Sequence, residues 1–385
     1  MRAFMHHELH IRSSTASGLP RNAPESLDFL LKLYVAVDEP DGVAGIIAVQ
    51  NVPLSLEQQI LASESVGRLS DASVCCELAI RSQPDNLVLR RGLICKKMAL
   101  GELNSALNLA SGMIADHPSW SSELNACRIE SAWRLGQWEK LEQYVSTETT
   151  TVTWNTGLGK LLLAAKVKDE TAFCSQLDML RLEEMAPLSA ASMEAGSYQR
   201  GYEHIVRLHM LNELEEGLRS LLNFEPAYKK PCFVNTTGRS QVDLSMLSRR
   251  WQARLQCCQL SYRYQDPILN LRRIILQLAS TELGLCVDTE VGQCWLQSAR
   301  VARECGLLQT AQSSLLSAAD FRLPEFHLEK AQWLWDRGDH DRAQSCLEKA
   351  AEAIFPDRGS RFKGVAVSAS EAEQAARYAL FGILA

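Results

Sequence analysis

Four glycines in this chain are each followed five residues later by an alanine: Gly67 and Ala72, Gly101 and Ala106, Gly306 and Ala311, Gly338 and Ala343. Seven residues further on stand Ala79, Met113, Ala318 and Ala350, and prolines follow at Pro84, Pro118, Pro324 and Pro356. The first two sets are 34 residues apart and the last two 32. A period of that length marks a tetratricopeptide-like helix-turn-helix repeat. Glycine suits the turn between paired helices, where positive φ is needed. The alanines fall on one face of the second helix, and small side chains there let two helices approach closely. Proline closes each hairpin because it cannot continue a helix. A weaker copy begins at Gly136, without the alanine.

The pattern predicts an all-α chain, an α-solenoid of tetratricopeptide- and HEAT-like hairpins. Alternating strand patterns are nearly absent, and β-rich stretches such as Thr149–Trp154 are short. Helical periodicity is clearest at Val291, Cys294, Trp295, Ser298, Ala299 and Ala302, with Gln293, Gln297, Arg300 and Arg303 off that stripe. Three polar segments rich in Gly, Pro or Ser interrupt the helices, at 13–24, 225–242 and 357–371. The expected organisation of residues 1–385 is a first group of hairpins over 28–224 and a loop over 225–242. A second group over 243–356, a loop over 357–371 and a truncated helix over 372–385 follow. Both ends read as cut. The first residues already show helical spacing, and Tyr378–Ala385 is an apolar face with no cap.

Catalytic signatures are missing. No Walker loop, dinucleotide fingerprint, kinase H-R-D or D-F-G, G-x-S-x-G elbow or C-x-x-C pair occurs. No cofactor and no metal are expected. The nearest metal candidate is His6 with His10 at helical spacing, but His7 holds the place where a zincin has glutamate. Arg337-Gly338-Asp339 spells an adhesion tripeptide, yet Gly338 is a repeat turn. Trp133, Trp138, Trp333 and Trp335 read as packing between hairpins. Glu183–Glu184 and Glu215–Glu216 read as solvated helix faces, as do Arg90–Arg91, Arg249–Arg250 and Arg272–Arg273. A net charge of −6 argues against direct nucleic-acid binding. No apolar run reaches the ~18–20 residues of a membrane span. Twelve cysteines, with adjacent pairs at Cys75–Cys76 and Cys257–Cys258, read mostly as small core residues in a reducing compartment.

Seven blocks, in order, carry a resemblance. They are LYVAVDEPDGVAG (33–45), SELNACRIESAWRLGQW (122–138), PLSAAS (187–192), GSYQRGYEHIVRLHML (196–211), DPILNLRR (266–273), QCWLQSARVAR (293–303) and EKAQWLWDRGD (329–339). Together they resemble the FAT domain of ATR-type checkpoint kinases, within the phosphatidylinositol-kinase-related protein kinases. The resemblance implies a helical collar around a kinase domain, itself without catalytic residues. It implies the parent's kinase domain and HEAT region as partners, with the ATR-interacting protein reached through the parent. It also implies a second protomer as a homodimer, a nuclear location, and signalling in response to DNA damage and replication stress. A freestanding tetratricopeptide adaptor that binds protein partners is the alternative. Such an adaptor needs a basic clamp for peptide carboxylates, which is not identifiable here.

Overall fold

The computed structural model describes residues 24–354, except 38, 51–52, 148–152, 194–197, 223–243 and 285, together with His6 and Leu9. The loops expected at 225–242 and 357–371, the helix at 372–385, Pro356, His7 and His10 lie outside the described residues. Among those described there are seventeen α-helices, one 3-10 turn and no strand. The protein is all-α. The chain divides into two units, residues 1–156 and 157–385.

The first unit begins with α1 (Pro24–Val37) and α2 (Pro40–Val49). Three hairpins follow: α3 (Leu56–Ser65) with α4 (Leu69–Ser82), α5 (Leu87–Ala99) with α6 (Leu103–Asp116), and α7 (Ser121–Arg134) with α8 (Trp138–Thr147). Each helix packs on the next, so successive hairpins meet through the second helix of one and the first of the next, and α5 also touches α7. Caps fix where helices start. Ser55 accepts from the Gln58 amide at 3.2 Å while the Gln58 side chain takes the Ser55 amide at 3.1 Å. Asn86 caps α5 through the Val88 and Leu89 amides.

Within each hairpin the turn has one construction. Gly67, Gly101, Gly136, Gly306 and Gly338 have φ between +66° and +91°. At Gly306, for example, the glycine amide bonds to the Arg303 carbonyl and the next amide, of Leu307, reaches back to Ala302 at 2.8 Å. That is the Schellman closure, which satisfies the last carbonyls of the first helix. Ala72, Ala106, Ala311, Ala318 and Ala343 are all fully buried, and Ala79 and Ala350 nearly so. Ala106 and Ala110 sit against Ile94 and Met98 of α5 and Leu124 and Cys127 of α7. Pro84 and Pro118 stand between hairpins, and Pro324 precedes a helix start.

The second unit contains most of α9 (Trp154–Val167), then α10 (Glu170–Ser192), α11 (Tyr198–Leu222), α12 (Leu244–Gln256) and α13 (Tyr262–Leu283). It ends in two hairpins, α14 (Asp288–Glu304) with α15 (Leu308–Ala319) and α16 (Glu325–Asp336) with α17 (His340–Ile354). Three of its helices are long, with 23 residues in α10, 25 in α11 and 22 in α13. They occupy the stretch where the 34-residue period disappears. The α9–α10 turn keeps the Schellman closure, with the Lys168 amide on Ala165 and the Asp169 amide on Ala164, but lysine replaces glycine at φ +61°. Five residues on stands buried Phe173 rather than alanine. The gap on the partner helix comes from Gly157, where a Cβ would lie 2.4 Å from Leu180.

The α14 stripe read from the sequence is buried except for half-buried Trp295, yet Leu296 and Val301 on another side are buried too. This helix packs on α13, α15 and α16 at once. A single stripe was therefore too narrow a reading.

The turn chemistry makes a paired prediction. At Gly306 there is open space for a Cβ, so only the left-handed backbone resists one. Gly306→Ala should lower stability by about 1–2 kcal/mol. Lys168→Gly relieves the same strain while losing a half-exposed ion pair to Glu282, worth at most about 1 kcal/mol. It should be neutral or mildly stabilising. Urea melts of the two variants check this, and a Lys168→Gly variant weaker than Gly306→Ala contradicts it.

Candidate functional site

Sequence reasoning found no catalytic constellation. Among the described residues no group of three His, Cys, Asp or Glu side chains could hold a metal ion, and His6 is exposed. The concentrated chemistry lies elsewhere, in buried charges that tie the helices of the second unit together.

At the centre is Arg272, 2% exposed, on α13. It holds fully buried Glu213 of α11 with both arms, Nε to Oε2 at 2.7 Å and Nη2 to Oε1 at 2.6 Å. The same Nη2 donates to the Trp251 carbonyl of α12 at 2.8 Å, and the guanidinium lies over the Trp251 ring. His209 meets Glu213 at 3.0 Å. One arginine thus joins three helices through a bidentate, charge-assisted contact. Burial alone would raise the Glu213 pKa, but hydrogen bonds from Arg272 and His209, with their charges, outweigh it and hold it below its ordinary 4.5.

Its neighbour Arg273 faces the other way. Its guanidinium stacks 3.7 Å from the Trp295 ring centre of α14 and donates to Ser298 at 3.0 Å and to Asn270. Asn270 in turn donates to Asp266 at 2.7 Å. Consecutive arginines on a helix point about 100° apart, so each can serve a different neighbouring helix.

Three further helix pairs carry similar latches. Glu184 of α10, 5% exposed, takes His204 at 2.5 Å and Arg207 at 3.1 Å from α11. Glu215 of α11 takes Arg181 of α10 at 2.6 Å and its own Arg219. Glu216 takes Arg250 and Arg254 of α12. Glu329 of α16, 2% exposed, takes Arg300 at 3.1 Å and Arg303 at 2.8 Å from α14. Arg303 also reaches Asp336 at 3.0 Å.

These contacts correct several readings. Glu184, Glu215, Arg272 and Arg273 are buried rather than solvated faces. Glu216 is largely covered too, whereas Glu183, Arg91 and Arg249 do face solvent. Arg300 and Arg303, expected away from the packed stripe, are half-buried on Glu329. The signal that could have found them is pairing at a distance, because each buried glutamate has an arginine of complementary reach on another helix. Trp133 and Trp333 are buried, Trp138 and Trp335 half-buried, and Trp333 Nε1 donates to the Leu308 carbonyl across the hairpin step at 2.8 Å.

The arrangement offers structural rigidity, not bond-making chemistry. It predicts an acid response. A glutamate whose folded pKa is depressed contributes stability above its unfolded value and loses it as pH falls through the folded one. Stability should therefore fall as pH drops below about 4.5. That fall should be shallower in Glu213→Gln, as urea midpoints at pH 7 and pH 4 would read. Equal slopes for both proteins would contradict it.

Comparison with known proteins places these elements. The FAT domain family matches residues 125–380. Serine/threonine-protein kinase ATR of Oryza sativa subsp. indica is 28% identical over 375 residues, 92% of this chain and 13% of that protein. The ATR kinase of Drosophila melanogaster is 29% identical over 346 residues, 84% of this chain and 13% of its own. Protein kinase rad3 of Schizosaccharomyces pombe is 27% identical over 350 residues, 90% of this chain and 13% of its own. The chain spans about an eighth of the length of these relatives.

Proposed function

Because the chain belongs to the FAT domain family and is ATR-like within it, we propose that it is the helical scaffold of a nuclear serine/threonine kinase that signals DNA damage and replication stress. The observation behind this is that similarity to ATR and rad3 kinases runs through 84–92% of the chain. The 385 residues hold no kinase domain, and their relatives are kinases. The working part is therefore the stacked helices themselves.

A scaffold of this kind needs stiffness along its length. Alanine crossings supply it in both units, and arginine–glutamate latches add to it in the second. In the parent its partners are the kinase domain and the HEAT region, with the ATR-interacting protein engaged through the whole assembly. A second protomer completes a homodimer. The chain has no direct role in nucleic-acid binding. No helix among the described residues is long and apolar enough to cross a membrane.

An antibody against this chain tests the reading. From cells under replication stress it should precipitate an ATP-dependent activity on Ser-Gln peptides, resident in the nucleus. The purified chain alone should transfer no phosphate, because nothing in it cradles Mg-ATP. A precipitate without kinase activity, containing only a freestanding protein near 42.9 kDa, would overturn the proposal in favour of an adaptor.

A further inference from the structure

The stacking of α5 on α7 brings two cysteine thiols together. Cys95 is exposed on α5, and Cys127, 7% exposed, belongs to the apolar cluster around Ala106 and Ala110. On these two packed helices the thiols are close enough for each to perturb the other's titration. One helical turn away, Arg91 of α5 meets Glu123 of α7 at 3.2 Å. Both pairs join residues 32 apart, so the ion pair and the thiol pair report one register between the same two helices. None of the other cysteines in the first unit has this arrangement, since Cys75 and Cys76 are chain neighbours and Cys75 donates to Gln59.

We propose that Cys95 and Cys127 form an oxidisable dithiol, in which a peroxide converts the pair to a disulfide that ties α5 to α7. The two cysteines have complementary chemistry. Cys95 is open to a small oxidant, and its thiol is pushed down to about 7, first by the hydrogen bond from Cys127, against burial, with Arg91 and Lys96 assisting and Glu130 opposing. Cys127 is pushed far up, first by its hydrogen bond to Cys95 and then by burial. The exposed sulfur is therefore the nucleophile and the buried one its resolving partner.

The steps balance. The Cys95 thiolate gives an electron pair to one peroxide oxygen, the O–O bond breaks, and the departing hydroxide takes a proton to become water. Cys95 is left as the sulfenic acid. That step also removes the negative charge that held the proton on Cys127. The Cys127 sulfur then attacks Cys95, an S–S bond forms, the S–O bond breaks, and the hydroxyl leaves with the Cys127 proton as a second water. Two sulfurs lose two electrons and one peroxide is reduced. A thiol reductant reverses the change.

The consequence is mechanical. First helices of neighbouring hairpins would become covalently spaced at one turn, so relative sliding of the two hairpins would stop. The proposal rests on the first unit alone and stands apart from the kinase assignment.

The test uses the full chain. Trypsin releases Cys95 within residues 92–96 and Cys127 within residues 98–128, so a joined peptide is readily identified by mass. After treatment with hydrogen peroxide the expected result is that peptide as the main oxidised product, lost again on adding dithiothreitol. In Cys127→Ser, dimedone should trap about fivefold more Cys95 sulfenic acid than in the unsubstituted chain, because no resolving thiol remains. At pH 7, iodoacetamide should modify Cys95 about threefold faster than a cysteine in an unfolded peptide, after offsetting greater thiolate fraction by lower nucleophilicity. Its rate should have a midpoint near pH 7. Peroxide treatment that leaves the two peptides separate, or an alkylation midpoint at or above about 8.5, would overturn the proposal. Neither readout depends on a variant folding.

Discussion

Arg272→Met should cost about 3–5 kcal/mol, the largest single effect expected in this chain. The substitution roughly keeps volume but leaves the Glu213 carboxylate buried without its bidentate partner, and an uncompensated buried charge is expensive. It also strips the Trp251 carbonyl of a donor. Removing the second charge as well should help. The double variant Glu213→Leu with Arg272→Met should recover at least about 2 kcal/mol, because apolar replacement of a whole buried pair is often near neutral. Chemical denaturation followed by tryptophan fluorescence reads both, since Trp251 lies against the site. An Arg272→Met variant within 1 kcal/mol of the unsubstituted chain would mean that water reaches Glu213, and the latch would lose its meaning.

Ala106→Leu should cost about 1–3 kcal/mol through overpacking. Ala106 is fully buried between α5 and α7 contacts, with Ile94, Met98, Leu124 and Cys127 around it. Three added carbons have no room there unless the helices move apart. The neighbouring Ser105 is exposed, and Ser105→Leu should change stability by only a few tenths of a kcal/mol. Parallel melts of the two variants separate a close helix crossing from an ordinary helical alanine. Equal small shifts would mean that α5 and α6 do not meet at Ala106. The same experiment at Phe173 runs in the opposite direction. There the hairpin is filled by a large side chain, and Phe173→Ala should open a cavity rather than close one.

The hairpins were legible because their signals are local. A left-handed turn needs glycine, and a close crossing needs alanine five residues later. Both requirements act within one helix-turn-helix, so they leave a fixed spacing at Gly67, Gly101, Gly306 and Gly338. Where the middle of the chain departs from that spacing, the same closure is met by other means. Lys168 accepts the strained φ, and Gly157 on the first helix makes the room that alanine makes elsewhere.

The charge clusters were not legible, and the reason is physical. Glutamate and arginine on a helix ordinarily mark its solvent face. Whether Glu213 or Arg272 is such a residue depends on what covers it, and those two are 59 positions apart. Adjacent Arg272 and Arg273 look alike in the chain, yet one locks α11 and α12 and the other stacks on Trp295 of α14. The same holds for Cys95 and Cys127, ordinary helical cysteines until α5 and α7 stack. The amino-acid sequence by itself determined that this is an all-α chain of hairpins, with turns at its glycines and close crossings at its alanines, because φ preference and side-chain volume act over a few residues. Only the tertiary structure decided which charges are interior and which thiols meet, because burial is a property of neighbouring helices and not of the residue that becomes buried.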